Sequence, residues 1–275
     1  MYDHFVTIDG VRYHYTEYPG SGQDIFLLHG FASSTYTWEK VAPMIQANGY
    51  HVWALDMKGF GWSDKPEDAD YSPKQLLKEV NAWMDKMGLS EVVFAGNSLG
   101  GGIAWEMALM HPDKVKKLVL IDAAGFMRHI PVPVRLAGLP GAASVARIFF
   151  GRWMIQNVFK QVYFDASLIE PEQIEAYYNR LRTKNALGAL AALGRSISAL
   201  SSEEYASRIP EIQMDTLIIW GREDAWIPQE DAFKFKAALP NATLEVIPFC
   251  GHIPQEEKPQ ETARLIVNFV SKKRN

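Results

Sequence analysis

Val92-Val93-Phe94-Ala95-Gly96-Asn97-Ser98-Leu99-Gly100-Gly101 is the stretch whose reading decides the fold of this chain. An apolar run rich in β-branched residues stops abruptly at Gly-x-Ser-x-Gly, and a helical pattern begins at once. A serine on so tight a strand-to-helix turn holds its hydroxyl clear of the backbone, and the flanking glycines keep other side chains away. The helix start behind it leaves N–H groups unpaired where an oxyanion would form. Ser98 is therefore the candidate nucleophile.

Working outward, short apolar runs recur on both sides of this turn. Ile25–Leu28, His51–Leu55, Leu118–Ile121, Leu217–Trp220 and Leu244–Ile247, like Val92–Ala95, have the nearly continuous apolar character of strands buried on both faces of a parallel sheet. Helical patterns separate most of them. Ser72-Pro73-Lys74-Gln75 is a capping box with proline at the first helical position, apolar residues follow at helical spacing, and Gly88 closes the segment. Ahead of all this, Phe5–Ile8 and Val11–Tyr15 flank Asp9-Gly10, a two-residue hairpin turn. The pattern predicts an α/β fold with a mixed but mainly parallel sheet.

After Asp122 the alternation breaks. From Gly125 to Arg208 no buried strand is legible, and the segment is unusually apolar, with a helix opening at Pro171 and a capping box at Ser201-Ser202-Glu203-Glu204. The division expected is a core of residues 1–124 and 209–275 interrupted by a helical cap, 125–208. Helices this apolar are expected to bury their faces, lining a substrate crevice at the strand ends.

Bulk properties narrow the function. A net charge of −4 and a pI near 6.0 give no electrostatic reason to expect nucleic acid. The single cysteine, Cys250, excludes an intramolecular disulfide and fits a reducing compartment. No signal peptide and no membrane span are visible, so a cytoplasmic location is expected. No metal-ligand spacing or dinucleotide fingerprint appears, so no metal or cofactor is implied. Oligomeric state stays open.

A serine hydroxyl needs a base, and the base an orienting carboxylate. Of seven histidines, His252 follows the strand Leu244–Ile247 in the loop Phe249-Cys250-Gly251-His252. Asp224 follows the strand Leu217–Trp220, in competition with Glu223 beside it and with Asp122 at the end of Leu118–Ile121. Parallel strands bring all these ends to one sheet edge. The N–H groups of Leu99 and Phe31 are the expected oxyanion donors, with Gly30 letting the loop turn inward and His29 fixing it.

With these residues in place, the chain resembles the α/β-hydrolase superfamily, in the branch with a helical cap. Asp56-Met57-Lys58-Gly59-Phe60-Gly61-Trp62-Ser63-Asp64 is similar to that family's Asp-x-Arg-Gly-x-Gly-x-Ser loop, with Lys58 where arginine is usual. Gly251-His252-Ile253-Pro254 and Glu257-Lys258-Pro259 resemble its base loop and the next helix start. The resemblance implies hydrolysis through an acyl-serine intermediate, and a serine at the elbow separates this chain from relatives with an aspartate nucleophile. Carboxylic esters of small to medium hydrophobic substrates are the expected targets. The alternative enzyme is a carbon–carbon hydrolase of the meta-cleavage product type, whose elbow Asn97-Ser98-Leu99-Gly100-Gly101 resembles; Ile253 stands where that family usually has tryptophan. A perhydrolase and a non-catalytic receptor for a small apolar ligand on the same scaffold are further readings. Phe31, Phe126, Trp153, Phe159, Trp226 and Ile253 are the candidate pocket residues, and Arg182 and Arg195 are either carboxylate-binding or solvated.

Overall fold

A computed structural model describes residues 1–126, 130–199 and 206–272. The Ser201–Glu204 capping box and the terminal Lys273-Arg274 lie outside the described residues. Eight strands form one sheet: β1 (Tyr2–Ile8), β2 (Val11–Tyr18), β3 (Asp24–Leu28), β4 (His51–Leu55), β5 (Val92–Asn97), β6 (Val115–Ile121), β7 (Thr216–Gly221) and β8 (Ala242–Ile247). Their order across the sheet is β1-β2-β4-β3-β5-β6-β7-β8. The β1–β2 and β2–β4 pairs are antiparallel and every other pair is parallel. The hairpin turns at Asp9 and Gly10, both at positive φ (49° and 79°), as its sequence requires.

Alternation along the strands builds two cores. Phe26, Leu28, Phe94, Leu118, Leu120, Ile218 and Trp220 point to one side. There they meet α2 (Pro73–Met87), α3 (Leu99–Met110) and α9 (Gln229–Ala238). Ile25, Leu27, Val93, Ala95, Val119, Ile121, Leu217 and Ile219 point to the other, against α1 (Val41–Gln46) and α11 (Pro259–Ser271). A strand whose successive side chains enter opposite cores has no polar face to show, which is why these runs are continuous. β8 departs from that expectation. As the sheet edge it alternates buried and exposed positions.

The start of α2 differs in one detail. Ser72 Oγ accepts from the Gln75 N–H at 3.3 Å, but the Gln75 side chain turns away to Glu79. The capping box is thus only half formed. Gly88 ends the helix in the left-handed conformation, φ 70°.

Between β6 and β7 lies a helical insertion: α4 (Val132–Ala137), α5 (Ala142–Phe149), α6 (Arg152–Val162), α7 (Pro171–Leu181) and α8 (Ala186–Ser198). α6 and α7 bury Ile155, Phe159, Val162 and Tyr177 in a small core with Ile253. α8 packs onto the larger core through Ala189, Leu190 and Leu193, and α4 and α5 pack on α8. No described residue covers the outer face of α4 and α5; α5 has no buried residue at all. Apolar sequence here does not mean buried surface.

Candidate active site

Register brings the distant residues together. Leu28 of β3 pairs with Gly96 of β5, Asn97 with Ile121 of β6, Ile121 with Ile219 of β7, and Gly221 with Ile247 of β8. The segments after each strand, holding Gly30-Phe31, Ser98, Asp122, Asp224 and His252, leave the same edge. β3 and β5 also flank the point where the connections diverge to opposite sides of the sheet, the usual place for a crevice.

At the turn, Ser98 has φ 54° and ψ −118°, a strained setting for a residue with a side chain. Its glycines are sterically required. A Cβ on Gly96 would stand 2.2 Å from the Gly100 carbonyl oxygen, and one on Gly100 would stand 2.3 Å from that of Leu28. Ser98 caps the N-terminus of α3, so the Leu99 N–H opens that helix at the site.

His252 Nδ1 and Asp224 Oδ2 are hydrogen-bonded at 2.7 Å, both side chains buried. Asp224 Oδ1 accepts the N–H groups of Trp226 and Ile227 at 2.7 and 3.0 Å. The competing acids have other duties. Glu223 accepts the Cys250 N–H at 3.0 Å. Asp122 accepts the Gly221 N–H at 2.9 Å, and its carboxyl is buried beside that of Asp224. Donor atoms of Asp122, Asp224 and His252 lie within 4.8 Å of one another. Burial, and then the neighbouring Asp224 carboxylate, push Asp122 well above the ordinary carboxyl range.

His252 Nε2 is buried and bonds no atom of the described residues. It and Ser98 line the same cavity without a direct hydrogen bond, a spacing that unliganded sites commonly show. Two apolar lobes, of about 80 and 90 Å³, meet at Ser98, Phe31 and Trp226. One is walled by Leu99, Ile130, Val134 and Ile197. The other, which includes His252, is walled by Ile155, Phe159, Leu181 and Ile253. Among the described residues, no lysine or arginine lines either lobe. A hydroxyl, an imidazole and a carboxylate in this order can pass a proton from serine to histidine and stabilise the imidazolium formed.

Of the candidate pocket residues, Phe31, Phe159, Trp226 and Ile253 line the cavity. Two candidate pocket residues do not. Trp153 is 57% exposed, because its position on α6 faces outward. Phe126 packs edge-on against Phe235, ring centroids 5.0 Å apart, behind the cavity wall. Arg182 and Arg195 also stay outside both lobes.

The supporting residues were harder to foresee. Asn97 Nδ2 donates to the carbonyls of Ile121 and His252, each at 3.1 Å, tying the elbow to the base loop. Glu257 accepts the N–H groups of Gly251 (2.7 Å) and Asp165 (2.8 Å), and also that of Phe164, joining the base loop to the insertion. Gly251 permits this approach, since a Cβ there would meet the Val162 carbonyl at 2.2 Å. Glu256, at the end of α10 (Pro254–Glu257), is bonded by Thr37, Gln173 and Tyr177. Burial raises its carboxyl despite those donors. Only the Glu257-Lys258-Pro259 resemblance hinted at this anchor. His29 is structural: Nδ1 bonds the Gly30 carbonyl at 2.8 Å and Nε2 accepts the Met57 N–H at 3.2 Å. Lys58, buried, pairs with Glu79 of α2 and donates to the Asp70 carbonyl. A cation is therefore retained at the position where arginine was the expectation.

The model of the alpha/beta hydrolase fold matches residues 25–259. The chain belongs to that family. Among relatives of this hydrolase, the 2-hydroxymuconate semialdehyde hydrolase of Pseudomonas putida is 30% identical over 262 residues, covering 92% of this chain and 88% of the relative. The solved structure of a meta-cleavage product hydrolase from Pseudomonas fluorescens is similar to this hydrolase with a TM-score of 0.83 and 27% identity, over 97% of each chain. A bacterial membrane phospholipase A is similar with a TM-score of 0.79 and 28% identity, covering 98% of this chain and 85% of its own.

Proposed function

We propose that this hydrolase cleaves uncharged, apolar carboxylic esters through an acyl-serine intermediate. The observation that supports the reading is the pair of apolar lobes meeting at Ser98, one of them holding His252, with no lysine or arginine among their described lining residues. Ser98 Oγ attacks the carbonyl while His252 Nε2 takes its proton, and Asp224 holds the imidazole through Nδ1. The Leu99 and Phe31 N–H groups receive the oxyanion. The departing alcohol collects its proton from His252 and so leaves through the lobe His252 lines. The acyl chain then occupies the lobe of Leu99, Val134 and Ile197, until water activated by His252 releases it. In this reading residues 125–208 form the cap over a core of 1–124 and 209–275, and neither metal nor cofactor takes part.

Carbon–carbon cleavage of a vinylogous diketone acid is the second reading, and the relatives speak more for it than for ester cleavage. Such acids are anions, and a buried carboxylate needs a cationic partner. The lack of lysine and arginine among the described lining residues is the reason to rank esters first. Steady-state rates on p-nitrophenyl esters of graded acyl length, beside a vinylogous diketone acid, decide between them. Ester turnover rising from acetate to butyrate or hexanoate supports the proposal. Turnover of the diketone acid alone overturns it.

A further inference from the structure

The insertion carries an apolar face that no described residue covers. Leu136, Leu139, Val145, Ile148, Phe149 and Trp153 are all at least half exposed, Ile148 to 76% and Phe149 to 63%. Val145, Ile148 and Phe149 fall on one side of α5 at spacings of three and four, so they make a stripe. Exposed apolar patches of this kind mark an interaction surface.

The charges around the stripe have one sign. From Gly125 to Phe164 the sequence contains no aspartate or glutamate, yet it includes Arg135, Arg147, Arg152 and Lys160. α8, on which α4 and α5 pack, adds Arg195 and again no acid. Among the described residues, only Arg152, at the far corner, meets a carboxylate, that of Glu175 on α7. Arg147 reaches the Asn185 side-chain oxygen, at 3.4 Å. A chain with net charge −4 has therefore gathered, among the described residues of α4, α5 and α8, a cationic rim without acids around strongly exposed apolar side chains.

We propose that the outer face of α4, α5 and α8 docks on an anionic lipid surface. Acyl chains accept Ile148, Phe149 and Val145, while headgroup phosphates pair with Arg135, Arg147 and Arg195. A second copy of the chain fits worse. Two-fold contact through this face sets the same arginines against each other with no acid between them. Docking also adjoins the chemistry, because α4 presents Val134 to the cavity at Ser98 and Leu136 to the outside. The inference does not depend on which carbonyl compound is cleaved.

Co-sedimentation of the full chain tests it, using vesicles of phosphatidylcholine alone or mixed equally with phosphatidylglycerol. The expected result is binding to the mixed vesicles at low salt, weak binding to the neutral ones, and release at high salt. Each arginine contributes about fivefold to partitioning. Arg135→Glu with Arg147→Glu, and separately Ile148→Ser with Phe149→Ser, should each weaken binding at least about tenfold. Melting temperatures check that these surface variants stay folded. Wild-type protein that stays in solution with mixed vesicles overturns the proposal, as does unchanged binding by both variants. So does a stable dimer that Ile148→Ser with Phe149→Ser splits, since that face would then be covered by another copy.

Discussion

Replacing Asp122 with asparagine should make the protein more stable at neutral pH and leave it unchanged in acid. Asp122 is fully buried, and burial together with the Asp224 carboxylate holds its carboxyl well above the ordinary carboxylate range. In the unfolded chain the same carboxyl ionises near pH 4. Between those two points the unfolded state has lost its proton while the folded state keeps one. Folding stability therefore falls as pH rises through that window, by about 1.4 kcal/mol for each pH unit. Asparagine has the same shape and does not titrate. Its oxygen can keep the 2.9 Å bond from the Gly221 N–H, and its amide can donate toward Asp224. The gain over wild type should be near zero at pH 4 and grow with pH until the folded carboxyl itself ionises. For a chain of this size each kcal/mol is worth roughly 2 °C in melting temperature. Scanning calorimetry from pH 4 to pH 8 reads the difference directly. A variant that melts lower than wild type at pH 7, with no deficit at pH 4, would show that Asp122 is an anion in the folded protein and refute the reasoning.

Asp224→Asn should lower kcat by about 10³- to 10⁴-fold, because the amide oxygen stays with the Trp226 and Ile227 N–H groups and its NH2 then donates to His252 Nδ1, turning the imidazole to the wrong tautomer; steady-state kinetics on a p-nitrophenyl ester checks it. Glu257→Ala strips the N–H groups of Gly251, Phe164 and Asp165 of their acceptor, at a cost of about 2–4 kcal/mol. Thermal melts should show that loss, together with a lower kcat from a loosened base loop. Val134→Trp fills the lobe assigned to the acyl chain, so kcat/KM should fall steeply for hexanoate and little for acetate. An equal fall for both esters would reverse the assignment of the two lobes.

Much of this was legible in the sequence, for physical reasons that differ by element. The strands from Ile25 to Trp220 read clearly because side chains entering both cores leave no polar positions. β8 read less well, since an edge strand is half solvated. Ser98, Asp224 and His252 were recoverable because each follows a strand of one parallel sheet, so chain order encodes proximity. Trp153 went astray because apolar character alone cannot tell a cavity wall from an outward face. Glu256 and Glu257 look like ordinary surface acids in a polar run; only the fold reveals the backbone N–H groups and hydroxyls waiting for them. Asn97 likewise hides its role, two carbonyls contributed by β6 and by the base loop.

The central claim is that Ser98 is a nucleophile activated by His252. Reaction with a fluorophosphonate, followed by mass mapping of the adduct, tests it most directly. The account predicts one adduct, on Ser98, absent in Ser98→Ala and formed far more slowly in His252→Ala. Folded protein that takes up no label, or carries it on another residue, contradicts the account.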